Sequence, residues 1–223
     1  MILDQIVART QTDLHQRQQE ISLMEARTRA VAQPAPRDAL AALRAENRIH
    51  VIAEVKRASP SKGLLMPNFD PVGLARTYAA SGASLISVLT EPHFFQGAPA
   101  YLSAIKEAVT LPVLCKDFIF DAYQVYEARA WGADLILLIC AILDDAQLRS
   151  LLNLAHSLGM HCLVETHNAE EVRRAIDVGA MIIGVNSRDL HTFEMHPGLI
   201  RALRALIPAD RVVIAESGIH TAA

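Results

Sequence analysis

The polar residues that follow the apolar runs of this sequence are of the kinds that move protons and hold anions. Reading the positions just after each run gives Glu54 and Lys56, then Glu91, Lys116, Glu165, Asn186 with Arg188, and Glu216 with Ser217. A lone carboxylate at such a position is ordinarily a solvated loop residue or half of a structural ion pair. Charged or amide groups after six of seven runs form a pattern that coincidence explains poorly. Glutamates and lysines gathered in one low-dielectric site shift one another's pKa values, which prepares general acids and bases. The stretch from Ile52 to Gly63 is the most specific piece, with Lys56, Arg57, Ser59, Ser61 and Lys62 close together. A loop of that composition presents cations and hydroxyl donors to a phosphate or a carboxylate.

The elements that must position these groups recur from about residue 49 onward. A short apolar, β-branched run is followed by a polar residue, a loop and a longer stretch of helical periodicity. Strands are predicted at 51–55, 85–89, 113–115, 135–139, 162–164, 182–185 and 212–215. Helices are predicted between them at 71–80, 101–108, 122–131, 146–158, 170–178 and 197–206. Gly82, Gly132, Gly159 and Gly179 fall where a left-handed residue would close a helix before the next strand. Strands apolar on both faces, alternating with helices, imply a parallel sheet covered by helices. No GxGxxG follows the first strand, which removes the main support for an open dinucleotide-binding sheet. Chemistry-bearing residues at the C-terminal ends of many strands are what the mouth of a (β/α)8 barrel requires. The expected fold is therefore an α/β (TIM) barrel spanning 49–223, with the eighth βα unit apparently absent. Such a unit takes roughly 30 residues.

Residues 1–48 precede the repeat and are expected to form an N-terminal helical extension. Ile2, Leu3, Ile6, Val7 and Leu14 have approximate helical spacing, continuing to about Arg29; Pro34 and Pro36 interrupt it, and 37–45 reads as a second short helix. The expectation is a helical cap over one end of the barrel, with a substrate-touching flap as the alternative. The 223 residues suit one large domain, and 52% hydrophobic content promises a sizeable core. A net charge of -3 gives no electrostatic footprint for nucleic acid or an anionic membrane. No apolar run reaches the roughly 18–20 residues of a membrane helix, and the start lacks a signal-peptide pattern. Cys115, Cys140 and Cys162 lack metal-type spacing and suit buried thiols in a reducing compartment. A cytoplasmic location is expected.

In the order of the chain, these segments resemble indole-3-glycerol-phosphate synthase. The likeness begins in the stretch from Ile52 to Gly63. It continues through Leu89-Thr90-Glu91, with Phe94 to Gly97, and Leu114-Cys115-Lys116-Asp117-Phe118-Ile119. Leu163-Val164-Glu165, the run from Gly184 to Leu190, and Ala215-Glu216-Ser217-Gly218-Ile219 complete it. The resemblance implies a carbon–carbon lyase of tryptophan biosynthesis. Such an enzyme closes the indole ring of 1-(2-carboxyphenylamino)-1-deoxyribulose 5-phosphate with loss of carbon dioxide and water, without metal or organic cofactor. It implies Lys116 as general acid, Glu165 as general base and Glu54 as the partner assisting proton transfer. It also implies substrate contacts from Lys56, Ser59, Glu91, Asn186, Arg188 and Glu216. Phosphate would bind at Ser217 and Gly218, and the family's second half of the site, a loop after the eighth strand, is expected to be missing here. The partner implied is this small phosphorylated substrate. A monomer is expected, with fusion to or association with another enzyme of the pathway as the alternative.

Other residues read more plainly. His93, His167 and His191 are expected to be solvated loop residues, Cys115 to alternate away from Lys116 on its strand, and Trp131 to pack on the barrel exterior. Two competing readings are phosphoribosylanthranilate isomerase and a non-catalytic barrel fragment. The isomerase is disfavoured because its resemblance implies a cysteine base on the first strand, where this chain has Glu54 and Lys56.

Overall fold

The structure is a computed structural model that describes residues 2–45, 48–189 and 194–218. Three helices come first: α1 (Ile2–Glu20), α2 (Leu23–Ala32) and α3 (Ala39–Ala42). The repeat then runs β1 (Ile52–Val55), a small hairpin of β2 (Ala58–Ser59) and β3 (Gly63–Leu64), α4 (Pro71–Ala80), β4 (Leu85–Leu89), α5 (Pro99–Ala108), β5 (Val113–Lys116) and α6 (Ala122–Ala130). It continues with β6 (Leu135–Ile139), α7 (Asp145–Ser157), β7 (His161–Thr166), α8 (Ala169–Asp177), β8 (Ile182–Asn186), α9 (Leu199–Arg204) and β9 (Val212–Glu216). Local chemistry sets these boundaries. Asp121 with Gln124 and Asp144 with Gln147 form capping boxes, and Pro71 and Pro99 open their helices where an N–H would be orphaned anyway. The four glycines expected to close helices all have positive φ.

Seven strands form one parallel sheet in the order β1-β4-β5-β6-β7-β8-β9. The period of two divides each strand between two cores. Ile86, Val88, Val113, Cys115, Ile136, Leu138, Val164 and Ile183 face the surrounding helices. Leu85, Leu114, Leu135, Leu137, Ile139, Leu163 and Ile182 fill the inside. The sheet is curled: Lys116 on β5 lies within ion-pair distance of Glu54 on β1 and of Glu216 on β9, the two end strands of the order. Cys115 and Trp131 lie on the exterior side, as expected.

The N-terminal extension departs from the single-ended cap. α1 places Leu3 and Ile6 in the inner cluster near Phe94, Phe95 and Phe118, and its Arg9 donates to His93, so it lies at the mouth. α2 packs along the outside of α6. The segment into α3 reaches the opposite end, where Arg37 N–H donates to Asp134 just before β6 and His161 at the start of β7 pairs with Asp38. The expected long first helix is broken at Ile21 and Ser22, because the Ser22 hydroxyl accepts from Glu25 N–H and starts a new helix. No helix among the described residues is long and apolar enough to cross a membrane.

Candidate active site

The inward positions nearest the strand ends carry the polar groups. Glu54, Lys116, Glu165, Asn186 and Glu216 continue the alternation that buries Leu114 and Leu163 one step deeper and Ile182 two steps deeper. Lys116 is the hub. Its Nζ lies 3.2 Å from Glu216 Oε2 and 3.4 Å from Glu54 Oε2. The other oxygen of Glu54 accepts from Lys56 Nζ. Burial works to lower the Lys116 ammonium's pKa, but the carboxylates of Glu216, Glu54 and Glu165 outweigh it and hold it above the ordinary value. Burial likewise pushes Glu54 up, and Lys116 and Lys56 together hold it below the usual range.

Glu165 and Glu216 are shifted in opposite directions. Burial raises both. The His167 imidazole, 3.3 Å away, and the charge of Lys116 pull Glu165 below the usual carboxylate range, whereas burial and the Glu165 charge leave Glu216 raised. Glu216 Oε1 is buried without a donor among the described residues. Two carboxyl groups so close retain a proton between them, the arrangement that separates an acid from a base. Their meeting depends on Gly184, which pairs with Glu165 in the β7–β8 register. A Cβ at Gly184 would collide with Glu216 Oε1.

The remaining sequence-predicted residues are placed less uniformly. Asn186 is buried, and its Oδ1 accepts from Arg188 N–H at 3.0 Å, so it shapes the turn that carries Arg188. Ser59 stands in the β2–β3 hairpin, which Ala58 N–H ties to Phe95 O of the neighbouring loop. Ser217 and Gly218 follow β9 with φ of 64° and 71°. Glu91 is not free for substrate: its two oxygens accept from the N–H groups of His93, Phe94 and Phe95 at 2.9, 2.7 and 2.9 Å. Leu190, His191 and Ile219 lie outside the described residues.

Three features escaped the sequence reading. His167 is not a solvated loop residue but a largely buried one, between Glu165 and Glu171. The signal was available, since Glu165 and His167 stand two apart at a strand end and continue its alternation, as Glu54 and Lys56 do. His93 is a paired loop residue, held by Asp13 and Arg9 of α1. Phe95 and Phe118 approach with ring centroids 6.1 Å apart and give the mouth an apolar wall beside the charged cluster. Among the described residues no cluster of three or more His, Cys, Asp or Glu side chains is arranged to hold a metal ion.

Comparison with known proteins bears on this arrangement. A family model described as indole-3-glycerol phosphate synthase matches residues 3–223. A relative from Roseiflexus sp. (strain RS-1), named indole-3-glycerol phosphate synthase, is 52% identical over 229 residues, covering 99% of this chain and 85% of its own length. Relatives of the same name from Sulfurimonas denitrificans and Dehalococcoides mccartyi are each 48% identical and are matched over 85% and 87% of their lengths, respectively. The fold is similar to that of the N-acetylmannosamine-6-phosphate 2-epimerase from Clostridium perfringens, at a TM-score of 0.59 and 15% identity, with 78% of each chain covered. It is also similar to that of a 2-keto-3-deoxy-6-phosphogluconate aldolase of Zymomonas mobilis, at 0.57 and 16%, covering 83% of this chain and 77% of that one.

Proposed function

The chain belongs to the indole-3-glycerol phosphate synthase family, and from that premise we propose how the strand-end cluster divides the work of the reaction. The activity is that of a carboxy-lyase of tryptophan biosynthesis, which closes the indole ring of 1-(2-carboxyphenylamino)-1-deoxyribulose 5-phosphate with loss of carbon dioxide and water. Lys116 is the general acid. The observation that carries this reading is its ammonium, held by two carboxylates from opposite end strands of the sheet at 3.2 and 3.4 Å. Ring closure develops negative charge on the ribulose carbonyl oxygen, and a fixed cation with a proton to give stabilises it. Glu165 is the base of the dehydration, kept ionised by its neighbours. Glu54 holds Lys116 and Lys56 in register.

Glu216 retains the proton that it shares with Glu165, which leaves Glu165 as the ionised partner and places an acid beside the base. Lys56, Ser59 and Arg188 supply positive charge and a hydroxyl for the substrate's carboxylate and hydroxyl groups, with Asn186 fixing Arg188. The aryl ring packs against Phe95 and Phe118. Ser217 and Gly218 offer backbone N–H groups to the phosphate. The finer architecture we propose is that of a (β/α)8-type barrel, in which β1 and β9 each have one sheet neighbour among the described residues.

The test is product formation followed by indole fluorescence, for the wild-type chain and for Lys116→Ala. Loss of kcat by about 10²- to 10⁴-fold is expected from removal of one positioned acid. Product formation unchanged in Lys116→Ala would remove Lys116 from the acid's role.

A further inference from the structure

His167 follows β7 and stands between two carboxylates. Its Nε2 lies 3.3 Å from Glu165 Oε1, and its Nδ1 lies 3.2 Å from Glu171 Oε2. Nε2 is buried and has no aligned hydrogen-bond partner among the described residues; Glu165, at 3.3 Å, is the carboxylate it lies beside. The imidazole is not needed to start α8. Asn168 already caps that helix through its Oδ1 on Glu171 N–H at 2.9 Å, and Glu171 returns the contact by accepting from His167 N–H and Asn168 Nδ2, both at 2.8 Å. What remains for the ring is a bridge from a helix-anchored carboxylate to the one at the strand end. We propose that His167 is a positioning residue, clamped by Glu171, that orients Glu165 and holds it as the carboxylate during turnover. The inference rests on the reading of Glu165 as the base.

The charges around this pair fix the expected behaviour. His167 is faced by Glu165 and Glu171. Glu165 is faced by His167, by Lys116 of β5 and by Glu216 of β9. Burial disfavours the imidazolium, but the two carboxylates prevail and raise it to about 10, so it stays charged at neutral pH. An opposite charge at this distance lowers a carboxyl by about one to three units, so removing it moves Glu165 upward. Steady-state kinetics from pH 4.5 to 9 on His167→Gln should show kcat reduced by about tenfold to a hundredfold with KM little changed, as misplacement of a reacting group predicts. The acid limb of kcat should move to higher pH. His167→Lys, which keeps the cation, should return the limb toward the wild-type position. In wild-type protein the ¹⁵N shifts of His167 should report imidazolium at pH 8, and Glu171→Gln should lower its pKa. An unchanged kcat in His167→Gln, or a fall parallel at every pH with the limb unmoved, would overturn the proposal. Glu165→Gln separates the two levels. If that variant remains active, the reading of Glu165 as base fails; if it is inactive while His167→Gln leaves the profile unmoved, only the role of His167 fails.

Discussion

At the scale of single residues, the chemistry of the mouth is a matter of which protons burial allows to leave. Asp117, next to Lys116, shows this away from the reacting groups. Its carboxylate accepts from the Thr90 hydroxyl and from Phe118 N–H, yet burial prevails and, with the nearby Glu91, raises it to about 6. The sign follows from linkage: the folded state keeps a proton that the unfolded chain releases near the ordinary value of 3.8. Stability from this group is therefore complete at low pH and is lost as pH rises through about 6. Asp117→Asn removes the dependence while keeping an acceptor oxygen. Between pH 4 and 7 its unfolding free energy should gain on wild type by on the order of 1 kcal/mol, discounted from the full shift because the residue is part-exposed. Denaturant titrations at the two pH values measure it, and a difference that stays constant would show that Asp117 ionises normally. The strand-end groups were legible from sequence because a period of two fixes which side chains look inward. Glu91 misled, since its type and position fit a substrate contact, but the backbone N–H groups of its own loop reach it first.

At the scale of elements, the strands decide which of these residues meet. All seven sheet strands and six flanking helices lie close to their predicted spans because their apolar periods are strong and their caps explicit. The β2–β3 hairpin was not visible, being two residues on each side with no alternation to read. Nor was the part played by Gly184. In the sequence it is one apolar-run glycine; in the sheet it is the gap through which Glu216 reaches Glu165. Gly184→Ala drives a methyl into Glu216 Oε1 and to 3.2 Å from Leu163 Cδ1. The flexible carboxylate must move, and with it the shared proton. We expect kcat to fall by about 10²-fold, within the range for loss of a positioned acid. A double-mutant cycle tests the cause: Gly184→Ala should cost little more when added to Glu216→Ala. Full additivity would place the damage in the strand instead.

At the scale of the whole molecule, the N-terminal extension joins the two ends of the barrel. Its helices were legible from spacing and from Pro34 and Pro36, but its path was not, because that path is set by contacts with residues about a hundred positions away. Arg17 in the last turn of α1 grips Glu127 of α6 through two bonds of 2.7 and 3.0 Å, and Tyr123 donates to Arg17 O and Ile21 O. The Glu127 side chain is only 8% exposed, so its charge relies on that guanidinium. Breaking a buried pair from one side leaves an uncompensated charge, whereas replacing both partners by apolar groups is often neutral. Arg17→Met should therefore lower unfolding free energy by about 2–4 kcal/mol, with Arg17→Met/Glu127→Leu recovering most of it. Because neither residue touches the strand-end cluster, kcat per folded molecule should change little in either variant. Thermal melts paired with the indole fluorescence assay read both quantities. If the double variant is no more stable than Arg17→Met, the clasp works through packing rather than charge. If kcat falls in both while stability holds, the extension shapes the mouth as well as fastening it.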